Sequence, residues 1–489
     1  MTTAVLLANV GNHDLKLADQ TLLPRHEDGQ YFKSPRRLGE EIRDNFQRYA
    51  GAIQIPLLGP TLHWLLVHEG YKPTDLSIHL FASDQERDDV GEGNWLKDTV
   101  PAAEVIREYI NRKWQIAKKR IFIHRIEGSP ADYTNMLNYY QRELPRIRSF
   151  FDGRAEDYRV YMEVSGGTPA MTSMLILMGV EVFGQDVVTL YLDRGGSPYT
   201  IGVAKALFAR KTREVLRSQI SLYAYAVAAK TLADNGQLIQ SDEHKRALLS
   251  HLLRYADRRL AFDYDRARDE LAEASSFATG TLQSRLRRWR RELEAPDAAT
   301  RLAELIHSAR IKLHLGDYAD FTQRLFRFQE AIFRHMAEQM GIQYGKSDQY
   351  LDPKWRQSQP KLDAFLNAYP RTKDQSSSVV DTTRSLNRFS LGAIVDYFVR
   401  QEVWKRWRGA AEQIHRFSSV ADLRNRGIAG HGFEGIGRAD LEDAYGKDVQ
   451  TLLADMEQAY ESIFGQPPGE NPYDIVNDLL GELIPDLTS

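Results

Sequence analysis

Toward the end of the chain, Arg424, Asn425, Arg426 and His431 fall within one eight-residue segment, Arg424-Asn425-Arg426-Gly427-Ile428-Ala429-Gly430-His431. These residue types suit metal-free cleavage of RNA. A base draws the proton from a 2′-hydroxyl, the oxygen attacks the neighbouring phosphate, and a cation stabilises the five-coordinate state. Histidine titrates near neutral pH and contributes roughly 10² to 10⁴ in rate as a general acid or base. A guanidinium stays charged and forks onto phosphate oxygens, while Asn425 is suited to orient a phosphate or the imidazole. The same letters also describe a helix end followed by a Gly-His-Gly turn, because Gly430 and Gly432 disfavour regular helix.

A second candidate lies in the first half. The run from Tyr161 to Val164 reads as a buried strand, Ser165-Gly166-Gly167 as a turn, and Thr168-Pro169 as the N-cap and first position of a helix. Two glycines let backbone approach a ligand, and a helix N-terminus offers N–H groups to a phosphate. An ordinary tight connection has the same pattern. Other strand ends are also small and polar: Asn9-Val10-Gly11-Asn12-His13-Asp14 and Ser83-Asp84-Gln85. Three such ends suggest one shared pocket for a ligand with several phosphates and 2′-hydroxyls. His13 alone is a weak signal, since a loop histidine is more often a solvated turn residue. Trp95 and Lys97 suit base stacking and phosphate pairing, or an anchored ring and a surface lysine.

The elements needed to position these groups follow from periodicity. Strands are predicted at 5–10, 76–83, 120–126, 159–164 and 187–192, alternating with helices at 38–49, 61–69, 101–118, 132–150 and 170–182. That alternation predicts a parallel, doubly wound sheet, in which ligands bind beyond the C-terminal strand ends. Past residue 210 strand-like runs give way to helical spacing. Breaks at 294–300, 345–353 and 371–378 divide this half. The expected domains are 1–212, 213–318 and 319–489, and the fold class is α/β plus all-α. The stripe of Phe321, Leu325, Phe328, Ile332 and Met336 is expected to be core. Arg285-Leu286-Arg287-Arg288-Trp289-Arg290-Arg291 is expected to be a solvated amphipathic face.

Composition narrows the classes. With 489 residues the chain exceeds one ordinary core. There is no cysteine, which excludes disulfides, a thiol nucleophile and a thiolate zinc site. Net charge is −3, unlike a general nucleic-acid coat, although local basic sites remain open. The apolar stretch 171–183 contains Glu181 and is too short to span a bilayer. The first residues lack a basic, apolar secretory leader, so a cytoplasmic location is expected.

Taken together, the Ala8-Asn9-Val10-Gly11-Asn12 and Ser165-Gly166-Gly167-Thr168-Pro169 turns resemble the ligand-binding motifs of Rossmann-like CARF domains. Arg424-Asn425 through His431-Gly432-Phe433 resembles the HEPN signature. The order of parts resembles the CRISPR-associated CARF and HEPN ribonucleases of type III systems. The resemblance implies an N-terminal CARF domain, a helical connector and a C-terminal HEPN domain. It implies a single-strand-specific endoribonuclease in antiviral defence, activated by a cyclic oligoadenylate and needing no metal or cofactor for catalysis. Cyclic tetra-adenylate is the first expectation and cyclic hexa-adenylate the second; some members also slowly cut the activator. Arg426 stands at a shorter spacing to His431 than Arg424 does, and Gly430 occupies a position where the family pattern has alanine.

The resulting assignment makes His431 the proton-transfer residue, Arg424 the phosphate stabiliser and Asn425 the orienting group, with Arg426 as alternate arginine. The expected activator contacts are Asn9, Gly11, Asn12, Ser83, Gln85, Ser165, Gly166, Gly167 and Thr168. Two-fold pairing would bring two Arg and His sets into one cleft and match an even-numbered ring, so a homodimer is expected. A rival reading is a non-catalytic nucleotide-sensing regulator, for which no recognition helix is evident. A nicotinamide dehydrogenase is disfavoured because no GxGxxG follows the first strand.

Overall fold

The computed structural model describes residues 2–24, 34–152, 157–345, 350–370, 380, 382–383, 385–427 and 432–485, with the side chains of 422, 425 and 426 outside that description. It divides into two compact units, Met1–Lys211 and Thr212–Ser489, and the division falls within the helix Val203–Ser221.

The first unit is built on strands β1 (Thr3–Asn9), β4 (Leu76–Ser83), β5 (Ile121–Ile126), β6 (Tyr158–Glu163), β7 (Val188–Leu192) and β8 (Pro198–Ile201), in the spatial order β5-β4-β1-β6-β7-β8. Two-residue strands β2 (Lys16–Leu17) and β3 (Ile53–Gln54) form a separate ribbon. The neighbours of β1 are parallel, with Ala4 opposite Leu76 on one side and Arg159 on the other. Strands buried on both faces read as continuous apolar runs, as Ala4-Val5-Leu6-Leu7-Ala8 does. Alternation sends Leu6 and Ala8 into a cluster with Leu38, Leu62 and Ile106, on the helices Pro35–Asp44, Leu58–Val67 and Val100–Trp114. Val5 and Leu7 enter the opposite cluster with Tyr140, Leu144 and Leu175, on Tyr133–Asp152 and Pro169–Phe183. The layers are therefore helix, sheet, helix.

The expectation of an entirely parallel sheet needs one correction, since β8 runs antiparallel to β7. The turn between them is short: the Asp193 carboxylate accepts from the N–H groups of Gly195 and Ser197, and Gly196 has φ +80°. A reversal this tight has no room for a crossover helix.

Among the described residues of the second unit the regular elements are helices, with two isolated bridges, Tyr344 with Leu351 and Gly427 with Glu434. One core gathers the predicted stripe of Phe321, Leu325, Phe328, Ile332 and Met336, each fully buried, with helices from Arg388–Val399 to Val449–Phe464. The other gathers helices from Tyr225–Ile239 to Gly280–Glu292. The late helix Pro472–Leu483 returns to this second core, where Tyr225 donates to Asn477 at 2.8 Å and Gln240 donates to the Leu483 carbonyl at 2.8 Å. On the basic helix Gly280–Glu292, Leu286 and Trp289 are buried while Arg285, Arg287 and Arg290 face solvent, the amphipathic arrangement expected. Among the described residues no helix is long and apolar enough to cross a membrane.

Candidate functional site

In the first unit the strand order reverses at β1, which pairs with β4 on one side and β6 on the other. A crevice at such a reversal is where open α/β sheets bind ligands. The loops leaving β1 and β6 are locked together there by close contact. A Cβ on Gly11 would lie 2.6 Å from the Gly167 nitrogen, and one on Gly166 would lie 2.8 Å from the Asn9 carbonyl oxygen. Gly167 also has φ +88°, in the region that favours glycine. Thr168 caps the helix Pro169–Phe183 by accepting from the Met171 N–H at 3.2 Å.

Around this junction lies a cavity of about 400 Å³. Gly11 and Asn12 come from the β1 loop, Ser83 and Gln85 from the β4 end, and Gly167 and Thr168 from the β6 loop. His13 and Lys97 place two basic groups on the wall, and Lys97 donates to Asn94 at 3.3 Å. Three of the expected contact residues, Asn9, Ser165 and Gly166, do not line the cavity. Asn9 is 2% exposed and accepts from Tyr140 at 2.6 Å; Ser165 Oγ accepts from the Leu192 N–H; the Gly166 carbonyl accepts from Thr172. They hold the loops in register from beneath. Trp95 is likewise absent from the wall, being covered by the guanidiniums of Arg36 at 4.5 Å and Arg87 at 5.4 Å.

The wall also includes Ser129, Pro130 and Ala131, which the sequence reading passed over. The signal was present: Gly128-Ser129-Pro130 follows β5 as another small, polar strand end. Asp98 and Thr99 were missed too. Asp98 accepts from the Gln85 N–H at 2.8 Å and pairs with Arg36 at 3.1 Å, and Thr99 exchanges hydrogen bonds with Ser83. Burial pushes the Asp98 carboxyl above its usual range, against those stabilising partners.

Beneath the junction sit two buried acids. Asp14 accepts from the Gly11 N–H at 2.6 Å, yet burial pushes its carboxyl up to about 8, with the charge of Glu163 adding to the rise. Burial likewise raises Glu163, whose Oε1 accepts from the Ser165 N–H at 2.9 Å. Both loops thus rest on carboxyls whose charged form burial disfavours. Among the described residues no group of three or more His, Asp or Glu is placed to hold a metal ion.

In the second unit, Arg424 lies on the helix Ser418–Arg426 with its guanidinium 4.4 Å from the ring centre of Phe326. Arg388 lies 5.5 Å from the same ring. Arg388 donates to Gln329 at 2.9 Å, and Gln329 donates in turn to the Ile414 carbonyl and to Ser418. A fully buried amide therefore fixes the arginine-bearing helix against Tyr318–Gln339. The helix ends at Gly427, where a Cβ would meet Ile436 at 2.7 Å, and Phe433 is 94% exposed. His431 and the side chains of Asn425 and Arg426 lie outside the described residues.

The class these observations define is an α/β unit of Rossmann-like strand order, with a polar cavity at its reversal, followed by an all-helical unit. No protein-family model matches the sequence, and no curated protein sequence matches it. Among solved structures the chain is similar to Enterococcus italicus Csm6 bound to cyclic hexa-2′-fluoro-hexa-dAMP, with a TM-score of 0.62 at 14% identity, over 99% of this chain and 100% of that one.

Proposed function

We propose that the protein is a metal-independent endoribonuclease acting on single-stranded RNA and switched on by a cyclic oligoadenylate in type III CRISPR defence. The observation that carries this reading is the cavity at the β1 reversal, walled by backbone and hydroxyl groups from several strand ends, in a chain whose whole length is similar to a Csm6 structure holding a cyclic hexanucleotide analogue. Residues 1–212 act as the sensor, 213–318 as connector and 319–489 as the nuclease. Ring binding involves Gly11, Asn12, Ser83, Gln85, Gly167 and Thr168, with Lys97 adding positive charge.

In the reaction, His431 accepts the 2′-hydroxyl proton, the 2′-oxygen bonds to phosphorus, and the bond to the 5′-oxygen breaks as that oxygen takes up a proton from water, the imidazolium later returning its own to solvent. The products are a 2′,3′-cyclic phosphate and a 5′-hydroxyl. Arg424 neutralises the phosphate in the transition state and Asn425 orients it, with Arg426 as the alternate arginine. The active species is a homodimer whose paired sites face one cleft. To move such a switch from 1:99 to 99:1, the ring must favour the active state by about 5.5 kcal/mol.

The test is cleavage of a fluorescent single-stranded RNA in chelator by wild type and His431→Ala, without ring and with cyclic tetra- or hexa-adenylate. Cleavage by wild type alone, with one ring alone, supports the reading and names the activator. RNA that survives every condition, or is cut equally by the variant, overturns it in favour of a sensing regulator.

A further inference from the structure

The helix Tyr318–Gln339 carries more than the ring beneath Arg424. A cavity of about 420 Å³ opens beside its other exposed face. Its floor is apolar, made by Phe262, Tyr264, Leu305 and Ala331, and its rim holds Arg301, Arg324, Arg327 and Arg334 against one carboxylate, Glu330. Nothing in the nuclease mechanism uses these groups.

Their geometry is that of a receptor for a flat ring with anionic neighbours. Phe262 is a non-glycine residue at φ +60°, a conformation that side chains other than glycine, Asn and Asp rarely adopt. It holds the ring edge-on to Tyr264 at 6.2 Å, with the Arg324 guanidinium 5.7 Å from its centre. Arg324 is steadied by donating to Ser308 at 3.0 Å. Arg327 and Arg334 are seven residues apart, two turns along one face, and the Arg327 side chain is 64% exposed with Glu330 no nearer than 3.8 Å.

This cavity is linked to the Arg424 region through Arg334. It donates to the carbonyl of Leu386, two residues before Arg388, and the guanidiniums of Arg388 and Arg424 lie 5.5 Å and 4.4 Å from the centre of the same Phe326 ring. Phe326 and Arg334 are about 12 Å apart along the helix axis, from the rise per residue. A single strand seated at Arg424 therefore reaches the second cavity within a few nucleotides.

We propose that this arginine-rimmed aromatic cavity is an accessory binding site for single-stranded RNA, taking an unpaired base on Phe262 and Tyr264 and its flanking phosphates on Arg301 and Arg327. The proposal rests on the nuclease reading and names where its substrate continues beyond the cut. Stacking on aromatic faces with guanidiniums along the backbone is how single strands are held without sequence choice. A duplex, whose bases are already paired and stacked, does not fit the pocket.

The test uses the full-length chain in the His431→Ala background, to prevent cutting, and a fluorescein-labelled, unstructured 20-nucleotide RNA. Anisotropy is read across a salt series, without and with each ring. Arg301→Glu/Arg327→Glu is expected to weaken binding at least tenfold and to lower the slope of log K against log salt by about 1.4, from roughly 0.7 per phosphate contact. Phe262→Ala is expected to weaken binding about fivefold or more at unchanged slope. Arg285→Glu/Arg287→Glu makes the same charge change on another helix of the same unit and should leave affinity and slope alone.

The inference is overturned if the Arg301/Arg327 variant binds like its parent, if the control pair weakens binding equally, or if reversal alters only the oligomeric state in sedimentation. Wild-type cleavage with ring is measured in parallel. Cleavage without an effect at Arg301 and Arg327 sinks the inference alone, and the binding effect without any cleavage sinks the nuclease reading alone.

Discussion

The two regions that matter are held in place in opposite ways. The cavity at the β1 reversal is positioned by backbone: Gly11, Gly166 and Gly167 let two loops touch, and parallel strands on either side fix where those loops begin. Around Arg424 the positioning is by side chains, with a buried glutamine, two guanidiniums and one phenyl ring joining separate helices. Backbone positioning tolerates little, because a misplaced atom meets another main chain. Side-chain positioning can be re-set by changes of rotamer.

The largest effect expected from breaking this contrast lies in the second unit. His431→Ala should lower ring-stimulated single-turnover cleavage by roughly 10² to 10⁴, while calorimetry shows ring affinity within twofold of wild type. Loss of ring binding in this variant would mean that the two regions are not separable in the way described.

Next comes Gly11→Val, which forces the β1 and β6 loops apart. Overpacking of this kind costs about 1–3 kcal/mol, and because the contact is main chain it should also weaken ring binding by more than tenfold. A variant with wild-type melting temperature and affinity would show that the glycine contact does not set the cavity.

The buried acids give a smaller effect, graded with pH. In the folded chain the Asp14 carboxyl sits at about 8, above its unfolded value near 3.8. The unfolded state therefore loses its proton first as pH rises. The stability from this group is full below about pH 4, declines as pH rises and is lost once pH passes about 8. Glu163 is raised in the same direction. Asp14→Asn should flatten the fall in unfolding midpoint between pH 5 and 8, read by thermal denaturation. Parallel curves for variant and wild type would refute the role of Asp14.

The smallest expected effect is that of Arg285→Glu, within about 0.5 kcal/mol in stability, since its helix buries only Leu286 and Trp289 among the residues of the basic run.

Much of the first region was legible in the sequence because each signal was local. Thr168-Pro169 declares a helix start, the double glycine a close approach, and the β-branched runs their strands. The antiparallel β8 was missed because Pro198–Ile201 is four residues long and half exposed, with little hydrophobic pattern to read. Asn9 and Ser165 read as ligand contacts in the sequence, where a polar side chain at a strand end looks the same whatever it faces; in the fold they accept from Tyr140 and from the Leu192 N–H. Around Arg424 the sequence names the chemistry but not the support. Phe326, Gln329 and Arg388 lie 36 to 98 residues earlier, and only packing brings them to the helix.

The return of Pro472–Leu483 bears on how this chain can be made. Arg259 and Glu304 form a buried ion pair, and Tyr473 completes it by donating to Glu304 at 2.8 Å. Until residue 473 has left the ribosome, that carboxylate has Arg259 but not the Tyr473 hydroxyl, and the apolar cluster around Tyr255 and Leu271 lacks the side chains of this helix. This core of the helical unit is therefore completed only after residue 473 has emerged, and a nascent chain paused short of that point exposes apolar surface to proteases and chaperones.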